Sequence, residues 1–247
     1  MRRFGLIGKS LQHSFSASYF EHKFRDENIT GCRYDLFPLP VIAGIHELVK
    51  TYPDLEGLNI TIPYKKAVIP FLHWIDHEAT AAGSVNTIRI IRQAGNTILA
   101  GYNTDITGFE LSLSGLMPVN GALILGTGGA SGAVSYVLDK LNIPFVLVSR
   151  YPRHKGMISY GDISTGLLNS FTLIINTTPV GMFPDSENCP EIPYHLLSKN
   201  HILYDLIYNP ELTLFLRKGL EQGTRVKNGI QMLHIQADKA WELWQGK

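Results

Sequence analysis

Apolar positions recur along the chain in two alternating rhythms. Short β-branched and aromatic runs bounded by turn formers predict strands at 4–7, 33–39 and 58–62. Between them, three-and-four spacing predicts helices at 18–27, 41–51 and 65–71. Runs at 85–92 and 97–101 flank Ala94-Gly95-Asn96, a hairpin turn sequence. After Asp105 a helix is predicted to run to about Leu116, ended by Pro118. The second half repeats the alternation. Strands are predicted at Ala122–Leu125, 145–149, Leu173–Asn176, Ile202–Asp205 and Arg225–Lys227, with helices opening near Ala130, Ile163, Tyr194 and Thr213. The last segment, Ile230–Trp244, places Leu233, Ala237, Ala240, Leu243 and Trp244 near helical spacing, so one face is expected to be buried. Such an order implies an α/β protein with a mostly parallel sheet covered by helices.

Composition narrows the class. A chain of 247 residues suffices for one large domain or two small ones, and 45% hydrophobic content supports packed cores. A net charge of +1 gives no electrostatic reason to expect nucleic acid or an acidic surface as partner. Cys32 and Cys189 stand in unrelated contexts without zinc spacing and read as ordinary thiols. The apolar run at the N-terminus is too short for a signal peptide, and no run nears the ~18 residues of a membrane span. A cytoplasmic enzyme is the expectation, and no metal site is expected.

The strand at Ala122–Leu125 runs into Gly126-Thr127-Gly128-Gly129-Ala130-Ser131, where a small-residue helix begins. Strand, glycine turn and helix in that order open a dinucleotide-binding βαβ unit, because a pyrophosphate must approach the backbone where a Cβ would intrude. Ser131 replaces the third glycine of the fingerprint. NAD-specific sites place an acid about 20 residues on, at the end of the second strand. Here that strand ends in Ser149-Arg150, with Arg153, His154 and Lys155 behind it and no acid. A guanidinium pairs with a 2′-phosphate that an acid would repel, so the pattern favours NADP, a solvated basic loop being the alternative. Asn176-Thr177-Thr178-Pro179-Val180-Gly181-Met182 follows another strand, at the sheet end where parallel sheets bind ligands.

Two segments of the first half are dense in chemistry. Asn59, Thr61, Pro63 and Lys65 end a strand and turn into a helix, and Gly101-Tyr102-Asn103-Thr104-Asp105 precedes another. Alone, Lys65 reads as a surface lysine and Asp105 as a helix cap. Together they form the pair a ketone reductase needs: a proton donor, and a carboxylate that orients it and keeps it charged. His13-Ser14-Phe15-Ser16 lacks the G-x-S-x-G elbow of a serine hydrolase and reads as a capping cluster.

The chain resembles shikimate dehydrogenase, the NADP-dependent family that interconverts 3-dehydroshikimate and shikimate. The resemblance rests on eight segments in order: Gly5–Ser16 with its paired serines, Leu58-Asn59-Ile60-Thr61-Ile62-Pro63-Tyr64-Lys65, Gly83-Ser84-Val85-Asn86-Thr87, the Gly101 and Gly126 segments, the Asn176 segment, Asp205-Leu206-Ile207-Tyr208-Asn209-Pro210, and Asn228–Ala237. It implies a substrate domain over 1–104 and a Rossmann-type NADP domain over 105–228. A C-terminal helix over 229–247 would return to the first domain, and the active site would lie between domains. By the family pattern Lys65 and Asp105 are catalytic. Ser14 and Ser16, with Tyr208, would hold the substrate carboxylate, and Asn59, Thr61, Asn86, Asp105 and Gln236 its hydroxyls. Gly126, Thr127, Gly128, Gly129, Ala130, Ser149, Arg150, Arg153 and Thr177 would hold NADP, with Leu206 and Gly229 against the nicotinamide. Lys9-Ser10, Ala17, Ser149 and Tyr151 depart from the family's usual residues. A quinate/shikimate dehydrogenase with relaxed cofactor choice shares nearly every motif. A non-catalytic regulator on the same scaffold would have no reason to keep Lys65 with Asp105. Monomer and homodimer remain equally open.

Overall fold

A computed structural model describes residues 1–11, 14–93 and 95–246. His13 and Ala94, named above in the serine cluster and the hairpin turn, lie outside the described residues. The first elements are β1 (Arg2–Gly8), α1 (Phe15–Asp26), β2 (Cys32–Pro38), α2 (Ile45–Thr51), β3 (Leu55–Ile60), α3 (Tyr64–Ala67), β4 (Trp74–Ile75), α4 (His77–Ala82), β5 (Thr87–Gln93) and β6 (Asn96–Tyr102). Then follow α5 (Thr104–Leu113), β7 (Ala122–Leu125), α6 (Gly129–Lys140), β8 (Phe145–Val148), β9 (Met157–Ile158), α7 (Thr165–Ser170), β10 (Leu173–Asn176), β11 (Ile202–Asp205), α8 (Leu214–Glu221), β12 (Arg225–Lys227) and α9 (Ile230–Trp244). The chain divides into two units. The first comprises Met1–Thr104 with the segment from Ala237 onward, and the second Asp105–Gln236. Both passages between units fall within helices, α5 and α9.

The first unit is built on a six-stranded sheet in the order β2-β1-β3-β5-β6-β4. Its left half is parallel, as the βα alternation predicts. Its right half is mixed: β5 runs antiparallel to both β3 and β6, the short turn from β5 to β6 forcing the reversal between those two, and β4 pairs parallel with β6. Gly95 supplies that turn with a φ of +82°. Strand alternation separates two cores. Ile7, Leu58, Ile60, Ile88 and Ile90 face one side, with Ile45, Val49 and Val68 packed on them. Phe4 faces the other, against Phe20 and Phe24 of α1 and Ala237, Ala240 and Trp244 of α9. The buried face anticipated for the last helix is therefore an aromatic seam, with Phe4 stacked on Trp244 at 4.8 Å. Side chains as fully buried as Phe4 and Phe20 each contribute roughly 2–3 kcal/mol.

The second unit carries a sheet in the order β12-β11-β10-β7-β8-β9, parallel throughout. Strands β7, β10 and β11 are buried along their whole length, as strands covered on both faces must be. Phe109 of α5 stacks on Tyr204 of β11, and the Tyr204 hydroxyl meets Ser112 Oγ at 2.6 Å.

Several elements depart from expectation. Helix α1 begins at Phe15, not at 18, because Ser14 caps it: the Ser14 hydroxyl accepts from Ser16 N–H. Helix α5 begins at Thr104, so Asp105 lies inside the first turn, where a carboxylate favours the helix dipole, and is not the cap. Near Tyr194 only a 3₁₀ turn forms, Tyr194–Leu196, with Pro190 and Pro193 crowding its start. Near Ile163 the helix opens at Thr165, capped by Ser164. The two-residue strands β4 and β9 are too short to show a period. Helix α4, which the sequence reading did not anticipate, has almost no apolar periodicity; Asp76 caps it and Gly83 ends it in the left-handed region.

Candidate active site

In the first unit the expected substrate residues gather at one end of the sheet. Register places Ile7 beside Ile60, Asn59 opposite Thr87, and Thr87 opposite Tyr102. The carboxyl ends of β1, β3 and β6 therefore meet the start of β5. Backbone bonds knit this end together: Thr61 N–H donates to Ile7, Ile60 N–H to Asn86, and Asn86 N–H to Tyr102. Lys65 sits on the single turn of α3, too short for an appreciable helix dipole, and is half-buried. Its carbonyl accepts from Val85 N–H at 2.8 Å, which ties α3 to the segment carrying Asn86. Ser14 and Ser16 stand at the N-terminus of the twelve-residue α1.

The polar groups here are buried and mutually bonded. Asn59 and Asn86 are 6% and 3% exposed. Asn86 Oδ1 accepts from Thr104 N–H at 2.7 Å and from the Thr87 hydroxyl at 3.0 Å. Asn59 Nδ2 donates to Thr87 Oγ1 at 3.2 Å, and the Tyr34 hydroxyl donates to Asn59 Oδ1 at 2.8 Å. Asn103 Nδ2 donates to both the carbonyl and the hydroxyl of Ser84. Tyr34, Thr87 and Thr104 are absent from the residues expected from sequence. Thr87 and Thr104 lie inside the Gly83 and Gly101 segments quoted above, whereas Tyr34 lies outside every quoted segment.

In the second unit the glycine turn lies where the strand order reverses, between β7 and β10. Gly126 has a φ of +106°, and a Cβ there would press on Thr177 and Thr178. Around Gly128, at the N-terminus of α6, a Cβ would meet nothing within 4 Å, leaving the room an anion needs before a helix. Ser131, in place of the third glycine, turns its hydroxyl back onto the Gly128 carbonyl at 2.8 Å. Thr177 donates from both N–H and hydroxyl to the Leu125 carbonyl, and Leu206 N–H donates to Asn176. Gly229 N–H donates to Ile207, and Gly229 in turn receives the Leu233 N–H that starts α9. Ser149 ends β8 with its N–H on Ile158, while Arg150 and Arg153 are exposed just beyond. Tyr208 is half-buried. Gln236 packs beside Gly108, one turn along α5 from Asp105, and Asp105 is 5% exposed.

Asp205 was not expected among the site residues, although it opens a quoted segment. It is fully buried at the end of β11 and accepts from Thr213, Ile207 N–H and Asn176. Burial pushes its carboxyl from 3.8 up to about 7, against the pull of those three donors. The folded state thus holds the proton more tightly than the unfolded chain. The stabilisation is complete below about pH 4 and is lost as pH rises through 7. The expected outcome is a melting temperature of Asp205→Asn whose decline from pH 4 to 8 is shallower than the wild type's. Parallel melting curves against pH would refute the assignment.

A doubly wound parallel sheet, a glycine turn at its switch point and a basic group after the second strand define the second unit as a Rossmann-type dinucleotide-binding fold. Comparison with known proteins carries this further. Residues 6–88 match the family described as shikimate dehydrogenase substrate binding domain. The NADP(+) shikimate dehydrogenase of Methanococcus maripaludis is 35% identical over 98% of this chain and 91% of its own length. Among solved structures, shikimate dehydrogenase 1 of Peptoclostridium difficile has a TM-score of 0.87 at 33% identity, covering 100% of this chain and 93% of that one. The shikimate 5-dehydrogenase of Thermus thermophilus, solved with NADP(H) and shikimate, has a TM-score of 0.86 at 30% identity, covering 100% and 94%. The chain belongs to the shikimate dehydrogenase family. Among the described residues no helix is long and apolar enough to cross a membrane.

Proposed function

We propose that this protein catalyses the reversible NADPH-dependent reduction of 3-dehydroshikimate to shikimate. The observation that carries the proposal is membership of the family over nearly the whole chain, with the amide-and-hydroxyl cluster of Asn59, Thr87 and Asn86 intact. Such a cluster suits a small polyhydroxylated acid. A site built to bond hydroxyls rejects analogues that lack them.

The residues fit the dinucleotide. The open space at Gly128 and the N–H groups of α6 suit a pyrophosphate, and Arg150, with no acid beside it, suits a 2′-phosphate. These residues would hold the dinucleotide so that its reduced nicotinamide would supply the hydride for the ketone carbon. Lys65 gives a proton to the oxygen of that carbon, and takes it back in the reverse direction. Asp105 orients Lys65 and bonds a substrate hydroxyl. Ser14 and Ser16 hold the carboxylate, helped by the N-terminus of α1 and by Tyr208. Asn59, Thr61, Asn86 and Gln236 hold hydroxyls. Thr127, Gly129, Ala130, Ser149, Arg153 and Thr177 complete the cofactor contacts, and Leu206 and Gly229 flank the ring.

The direct test follows NADPH absorbance with 3-dehydroshikimate as substrate, where no turnover would reject the proposal. Exchanging quinate for shikimate and NAD for NADP in the same assay decides against the relaxed-specificity enzyme. Arg150→Ala is expected to raise KM for NADPH about 10–100-fold, the worth of a charge-assisted phosphate contact, while sparing KM for NADH. Equal effects on both cofactors would remove Arg150 from phosphate recognition.

A further inference from the structure

We propose that Tyr34 is a positioning residue: its hydroxyl fixes the orientation of the Asn59 amide, so that Asn59 and Asn86 present only N–H donors to the ligand. The inference rests on the proposed function and deepens it. A backbone N–H can only donate, so the Asn86 atom 2.7 Å from Thr104 N is the amide oxygen. Thr87 Oγ1 lies 3.0 Å from that oxygen and 3.2 Å from the Thr104 hydroxyl, which itself donates to the same oxygen at 3.2 Å, so the single proton of Thr87 is spent on the Asn86–Thr104 pair. Thr87 is then an acceptor toward Asn59, which must turn its Nδ2 that way, at 3.2 Å. Asn59 Oδ1 is left facing Tyr34, whose hydroxyl closes the chain at 2.8 Å. The donation therefore runs one way, and both amide oxygens are consumed within the protein. Among the described residues no acceptor takes the second Asn59 amide hydrogen or those of Asn86. They can meet ligand oxygens that accept.

The ring of Tyr34 is held for this task. It stacks on Phe20 at 4.5 Å and 15° and lies 6.3 Å from Trp244, and from β2 it reaches across β1 to Asn59 on β3. Burial raises the phenol well above its ordinary value, so it remains a proton donor. Without that hydroxyl the Asn59 amide keeps only its 3.2 Å bond to Thr87, its oxygen loses its partner, and the orientation that offers the ligand an N–H is held less firmly.

The test measures shikimate binding by calorimetry alongside steady-state kinetics. Tyr34→Phe is expected to keep kcat within about twofold, leave KM for NADP unchanged, and weaken shikimate binding about 3–10-fold, the worth of one hydrogen bond. In an Asn59→Ala background the Tyr34→Phe effect on shikimate binding should vanish, since the group it orients is gone. A merely structural role would give additive losses in that cycle, which overturns the proposal. Thr87→Val, which removes the other hydroxyl that holds the amide, is expected to show the same shikimate-selective loss. Unchanged shikimate affinity in both Tyr34→Phe and Thr87→Val also overturns it. If the wild-type protein neither binds nor turns over shikimate, the functional proposal fails and this inference falls with it.

Discussion

Lys65→Ala is expected to lower kcat about 10²–10⁴-fold, the range of a positioned general acid, with a much smaller change in KM. The reason is chemical. A hydride delivered to a ketone carbon leaves charge on oxygen, and the reaction completes only when that oxygen is protonated. Binding is spread over many hydroxyl contacts, so losing the ammonium costs the transition state more than the ground state. The bond from Val85 N–H to the Lys65 carbonyl fixes the backbone of α3 at the end of the sheet. Lys65→Arg is not expected to rescue the rate, because a guanidinium does not release a proton in this range. Asp105→Asn should fall the same way, by loss of the carboxylate proposed to orient the amine. Steady-state rates with saturating cofactor decide the matter, and a kcat for Lys65→Ala within a few-fold of wild type would remove Lys65 from the chemistry.

Gly57→Ala is expected to lower the melting temperature by roughly 2–12 °C, the equivalent of about 1–3 kcal/mol of overpacking in a chain of this size. Gly57 lies in β3 on the face that receives α9. An ideal Cβ there would overlap the indole of Trp244, which is 3% exposed and donates from Nε1 to the Ile88 carbonyl at 3.0 Å. The ring cannot retreat, because Phe4 stacks on it at 4.8 Å and Phe20 lies at 5.4 Å. Trp244→Ala should cost more, about 3–5 kcal/mol, by leaving a cavity. The double variant should cost less than the sum of the two, since the small side chain at 57 then enters vacated space. A Gly57→Ala protein that melts with the wild type would show that α9 is not seated on β3 in solution.

Much of this was legible in the chain. Strands β7, β10 and β11 and helix α9 were bounded to the residue, because each is a mostly apolar run or a full helical face between turn formers. The glycine turn was legible because a backbone that must approach a phosphate excludes every side chain. Lys65, Asn59, Thr61 and Asn86 were found through motifs. Tyr34, Thr87 and Asp205 were not. Each is a polar residue at an interior strand position, and its purpose lies in partners that are distant along the chain: Asn59 is 25 positions from Tyr34 and 28 from Thr87.

The sequence by itself determined the alternation of strands and helices, the parallel second sheet, the place of the nucleotide turn and the family. These follow from local periodicity and backbone sterics, which act over a few residues. The tertiary structure decided the mixed half of the first sheet, the early start of α1 at its serine cap, the aromatic seam that takes α9, and the direction of every proton in the Tyr34–Asn59–Thr87–Asn86 chain. Those depend on which strands become neighbours and on which atom faces which, and a hydrogen bond across a sheet has no counterpart in the spacing of residues along the chain.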